Sequence, residues 1–114
     1  MDLQLDGRVA IVTGASRGLG RAIARALVDE GASVLAAARS GDELDELCAE
    51  RPDRVRAAVC DMADEKAVGA LPGVALEAFG RLDIVVNNAG IAPAGPFLEP
   101  VSYTHLTLPT ILLV

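Results

Sequence analysis

The chain has 114 residues and no long linker, so it holds one domain at most. It is 52% hydrophobic with two Phe, one Tyr and no Trp, which suits a sheet covered by helices and excludes a disordered or fibrous chain. A net charge of −6 sets the overall field against phosphate-rich polymers and disfavours nucleic-acid binding.

The first residues, Met1 to Asp6, have no basic stretch followed by an apolar run, and no uncharged segment is long enough to span a bilayer. A cytoplasmic chain with no membrane partner is expected. Arg8 to Thr13 (RVAIVT) is a near-continuous apolar run, as expected of a strand buried on both faces. A helix follows, with Ala22, Ile23, Ala26 and Leu27 on its apolar face, and Gly31 stands where its C-cap belongs. Ser33 to Ala37 reads as a second, weaker strand. Ser40-Gly41-Asp42-Glu43 then predicts a capping box opening a helix that runs to about Glu50, before Pro52.

Val55 to Cys60 reads as a third strand. A third helix, from about Asp64 to Phe79, contains Leu71-Pro72-Gly73, which predicts a kink or a division into two short helices. Leu82 to Asn87 (LDIVVN) is the fourth strand. Strand-length runs alternating with helix-period segments define an α/β class with a parallel sheet and helices on both faces. Cys48 and Cys60 form no CxxC or metal-ligand spacing and read as two reduced structural thiols, with no metal site implied.

The densest chemical signal is Thr13-Gly14-Ala15-Ser16-Arg17-Gly18-Leu19-Gly20, placed between a buried strand and an amphipathic helix. Gly14 permits a tight turn, Gly18 lets backbone N–H groups approach a pyrophosphate, and Gly20 allows close helix-to-strand packing, while the helix dipole favours the anion. No Gly-Lys-Ser/Thr follows, so this is not a P-loop. The other polar candidates, Arg39, Asp61-Met62 and Asn87 to Gly90, also follow strand ends, the edge at which ligands bind in open α/β sheets. An enzyme specific for NAD would place an acidic side chain at the end of the second strand. Here Ala38 and Arg39 stand instead, which favours a ribose 2′-phosphate and hence NADP(H) over NAD(H).

With its glycines spaced GxxxGxG, TGASRGLG together with Asn87-Asn88-Ala89-Gly90 resembles the short-chain dehydrogenase/reductase family, over about residues 5 to 99. The resemblance implies a Rossmann-type, doubly wound sheet in the order 3-2-1-4, truncated after about the fourth strand. It also implies an oxidoreductase that passes hydride between a nicotinamide and a small carbonyl or alcohol. On the same basis the cofactor set comprises Gly14, Ser16, Gly18, Leu19 and Gly20 in the turn, with Arg17 as a second cation beside Arg39. Asp61 would bond the adenine amino group beside the Met62 backbone. Asn87 and Asn88 would steady the central sheet and contact the cofactor, and Ala89 and Gly90 would line its nicotinamide-side ribose.

The family's catalytic Tyr, the Lys four residues beyond it, the upstream Ser and the helical Asn have no counterparts. Tyr103 is the only tyrosine, Thr107 follows four residues later, and Lys66 is the only lysine. Ser102 and His105 lie in a stretch with no acidic residue to orient a base. No catalytic residue is therefore assigned, and the chain as given is expected to be inactive.

All 10 Lys and Arg and all 16 Asp and Glu precede Val101. Val101 to Thr110 can be back-translated as GTC TCT TAT ACA CAT CTG ACG CTG CCG ACG, which resembles a transposon-end adapter of sequencing libraries. Residues 1–100 are thus expected to be a partial Rossmann domain and 101–114 a non-native tail. The fourth strand would then be left as an uncovered apolar edge, with poor solubility or a molten state as the consequence. Two other readings are a non-catalytic NADP(H)-binding module and a fragment with no binding role. Homo-oligomers are expected only of a full-length protein.

Overall fold

A computed structural model describes residues 5–88 and 112–113. The elements run β1 (Val9–Thr13), α1 (Gly18–Asp29), β2 (Ser33–Ala38), α2 (Gly41–Glu50), β3 (Val55–Val59), α3 (Glu65–Phe79), β4 (Ile84–Val86) and β5 (Leu112–Leu113). They build one parallel sheet in the order β3-β2-β1-β4-β5. The 3-2-1-4 order expected from the sequence is present, and β5 extends it.

Side chains alternate between the two faces of each central strand, and this alternation explains the continuous apolar runs. Ala10 and Val12 of β1, Val34 and Ala36 of β2, and Ile84 and Val86 of β4 join Ala24 and Val28 of α1 and Leu44 and Leu47 of α2 in one core. Val9, Ile11, Leu35, Ala37 and Val85 face the other way and pack with Val68, Leu71 and Ala75 of α3. Ile11, Leu35, Leu44 and Leu47 are fully buried, and each contributes about 1.5–3 kcal/mol by leaving water.

Several local expectations are corrected. The buried line of α1 is Gly20, Ala24 and Val28, with Ile23 and Leu27 at its margin and Ala22 and Ala26 exposed. Small residues occupy the contact line because α1 approaches β1 closely. Ser40 is the N-cap of α2, yet its side chain makes no capping hydrogen bond, so the capping box does not form. α3 is one helix and not two short ones. Pro72 is fully buried beside Leu71, and packing in the core maintains the helix although the proline removes one backbone donor. Asp64 caps this helix, accepting from the N–H groups of Lys66 and Ala67, and Gly80 closes it in a left-handed conformation (φ 84°).

β3 is an edge strand, buried at Val55 but exposed at Arg56, Ala57 and Val59. β4 is not left uncovered: Ile84 and Val85 pair in parallel with Leu112 and Leu113. The C-cap of α1 is Glu30, and Gly31, one position beyond it in a left-handed conformation (φ 99°), donates to the Val28 carbonyl at 3.0 Å.

Candidate functional site

The carboxyl ends of β1, β2, β3 and β4 share one edge, and the chain leaves β1 there through the glycine turn. Gly14 and Gly18 have φ of 63° and 61°, which L side chains rarely adopt, so the turn requires glycine at both. Gly20 meets a different demand. A Cβ there would lie 2.0 Å from the Gly14 carbonyl oxygen and 2.6 Å from Asn88 Nδ2, so only a hydrogen fits between helix and turn.

Two side chains tie the turn and the end of β1 to the end of β4. Asn88 Nδ2 donates to the Gly14 carbonyl at 3.4 Å, and Thr13 Oγ1 lies 3.3 Å from the Val86 carbonyl and 3.2 Å from Asn87 Oδ1. On its other side, the Ala15 N–H donates to the Ala37 carbonyl of β2 at 3.2 Å. The structure thus brings Gly14, Gly20, Asn87 and Asn88 into one constellation. Ala89 and Gly90 lie outside the described residues.

Arg17 occupies the N-cap of α1 in extended conformation and makes no side-chain capping bond, and no acidic residue stands in the first turn. The helix therefore opens towards the edge without a side-chain anion, an arrangement suited to a bound one. Ser16 is buried, whereas Gly18 and Leu19 are exposed. Arg39 follows β2 directly and is exposed, with no carboxylate partner among the described residues. Ala38, at the strand end itself, is buried and carries no polar group.

Asp61 is exposed, and its Oδ1 accepts from the Ala63 N–H at 2.9 Å, a turn that leaves its other oxygen free of that contact. Met62 is buried in the core beneath, with the Cys60 thiol 3.6 Å from its sulfur, so only its backbone is offered to a ligand. The Cys60 N–H donates to the Ala38 carbonyl, which holds the ends of β3 and β2 together. Burial pushes both thiols up, with Asp45 adding to it at Cys48 and Asp61 and Asp64 at Cys60. Neither is a poised nucleophile.

Sequence reasoning passed over Asp83 and set Glu43 aside. Asp42 and Glu43 follow Arg39 closely enough to bear on cofactor choice, and a capping box would account for them, but that box does not form, and Glu43 turns back to within 3.9 Å of Arg17 Nε. Asp83 is 5% exposed at the amino edge; it accepts from the Val9 N–H at 2.9 Å and pairs with Arg8 at 3.3 Å and Arg81 at 2.7 Å. A concavity at that same edge is lined by Arg25, Asp29, Glu50 and Arg51, which pair as Arg25–Glu50 and Arg51–Asp29. Its charges are already matched within the protein.

A glycine turn leading from a parallel strand into a helix, on the carboxyl edge of a doubly wound sheet, defines a nucleotide-binding Rossmann-type fold. The short chain dehydrogenase family model matches residues 8–104, and the chain belongs to that family. It is 47% identical over 100 residues to an L-xylulose reductase of Bos taurus, covering 87% of this chain and 38% of the relative. It is 42% identical over 101 residues to a D-threitol dehydrogenase of Mycolicibacterium smegmatis, covering 86% and 39%. The chain thus spans about two fifths of the length of these relatives. Among solved structures, a metagenomic short-chain oxidoreductase in complex with NADP superposes with a TM-score of 0.70 at 42% identity, covering 76% of this chain and 41% of that one. A short-chain dehydrogenase from Streptomyces avermitilis gives 0.66 at 43% identity, covering 71% and 30%.

Proposed function

We propose that this chain is the cofactor-binding half of an NADP(H)-dependent oxidoreductase whose full-length form passes hydride between the nicotinamide and a small carbonyl or alcohol. The observation that carries the reading is the uncapped start of α1, held by the Gly20–Gly14–Asn88 contact against β4 and carrying no acidic residue of its own. Backbone donors and the helix dipole there suit a pyrophosphate. Gly14, Ser16, Gly18, Leu19 and Gly20 would cradle it, with Asn87, Asn88, Ala89 and Gly90 on the nicotinamide side and Asp61 and the Met62 backbone at the adenine.

The 2′-phosphate preference rests on Ala38 and Arg39, with Arg17 as a second cation, and the NADP in one similar structure supports it. Titration of this chain with NADPH and NADH, following nicotinamide fluorescence, tests the reading. Arg39→Ala should weaken NADPH about tenfold or more, as loss of one charge-assisted contact does, and leave NADH nearly unchanged.

Residues 1–100 are the partial Rossmann domain in this reading and 101–114 a non-native tail. β5 is compatible with that, because parallel pairing over two residues is a matter of backbone bonds, which any sequence can make. A read of the source gene across the codons for Glu99 and Pro100 decides it. A continuing frame with a Ser and then Tyr-x-x-x-Lys supports the reductase, whereas a stop after Val114 leaves a non-catalytic NADP(H)-binding module. The second reading draws on one observation: Tyr103 is followed by Thr107 where the family mechanism needs lysine. As given, the chain should bind cofactor and turn over no carbonyl.

A further inference from the structure

We propose that Glu43 sets cofactor selectivity, tempering the preference for a 2′-phosphate that Arg17 and Arg39 create; this rests on the cofactor reading above. Glu43 stands in the first turn of α2, just past the end of β2, and its carboxylate turns towards the glycine turn. Its Oε2 lies 3.9 Å from Arg17 Nε, too far for a hydrogen bond, and this oxygen is shielded from water with no donor among the described residues. A carboxylate oxygen held out of water without a donor keeps its charge poorly screened, so its field acts on Arg17 and on any anion brought up to it. The Arg17 side chain is 82% exposed, and among the described residues Glu43 is the carboxylate within ion-pair distance of it.

The two cofactor forms present opposite chemistry here. A ribose 2′-hydroxyl is neutral and meets no repulsion from Glu43, whereas a 2′-phosphate brings negative charge up to a carboxylate and competes with it for the Arg17 guanidinium. Two arginines favour the phosphate and one glutamate opposes it, so the site should take both cofactors with a muted preference for NADPH. The seam continues down the helix pair, where Arg21 meets Glu46 at 3.5 Å, but that pair lies a turn further from the edge and supplies a control.

The test is parallel titration of the whole chain with NADPH and with NADH at low ionic strength, for the native sequence, Glu43→Gln, Glu43→Ala and Glu46→Gln. Both Glu43 variants should raise the ratio of NADPH to NADH affinity about fivefold, the size of one partly screened charge contact, and Glu46→Gln should leave it unchanged. Equal changes for the two cofactors, or weaker NADPH binding on loss of the carboxylate, would overturn the proposal and make Glu43 a mere prop for Arg17. Binding of neither cofactor by the native chain overturns the cofactor reading and this inference together. A native preference that the Glu43 variants leave unmoved overturns this inference alone.

Discussion

The carboxylate of Asp83 accepts the backbone N–H of Val9 at 2.9 Å, joining the start of β1 to the approach to β4 across 74 positions of sequence. Arg8 and Arg81 complete the cluster from the solvent side. Burial pushes the Asp83 carboxyl up, but the Arg81, Val9 and Arg8 hydrogen bonds with the Arg81 charge outweigh it, and the net pKa is held below the ordinary carboxylate value. Asp83→Ala strands the Val9 N–H while the two half-exposed arginines return to water. It should therefore cost about 1–3 kcal/mol, measurable by urea denaturation.

The same cluster sets a pH dependence. A carboxyl whose folded pKa lies below its unfolded one stabilises fully above the unfolded value and loses that contribution as pH falls through the folded value. Thermal melts should show Asp83→Asn approaching the native sequence in stability at strongly acid pH. A difference that stays constant down the acid range would refute the linkage.

Gly20→Ala places a methyl group against the Gly14 carbonyl and Asn88 Nδ2, both held by the turn and β4. Overpacking of this kind costs about 1–3 kcal/mol. Because α1 must back away from the turn, cofactor affinity should fall along with the melting midpoint. Gly73→Ala, inside α3 with open space around the new methyl group, is the matched control: it should raise the midpoint slightly through helix propensity and leave cofactor affinity unchanged.

Both cysteines should react slowly with iodoacetamide near neutral pH and faster only as pH rises well above that of a free thiol, since burial raises both. Rapid labelling at pH 7 would contradict their packed, structural role. Removing residues 101–114 should lower the melting midpoint by several degrees, since it takes away the pairing of Ile84 and Val85 with β5.

The sheet order was legible because the β1 and β4 segments read as near-continuous apolar runs and each connection is long enough for a crossover helix. The glycine turn was legible for a related reason: Gly14 and Gly18 answer constraints set within the turn, and Gly20 answers first to the Gly14 carbonyl, although Asn88 presses on it from the end of β4. What escaped depended on distant partners. Ser40 to Glu43 spells a capping box, but Glu43 faces Arg17 from a different helix, and no local rule records that. Pro72 spells a break, yet its ring is buried in the core and α3 continues through it. Asp83 interrupts an apolar strand for a hydrogen bond whose donor lies 74 positions away.

Calorimetric titration of the folded chain with NADPH decides whether the carboxyl edge of the sheet is a cofactor site. Saturable binding at one site, abolished or much weakened by Gly20→Ala and weakened by Arg39→Ala, is the expected result. A chain that melts cooperatively, and is therefore folded, but binds neither NADPH nor NADH would contradict the assignment of its carboxyl edge as a cofactor site.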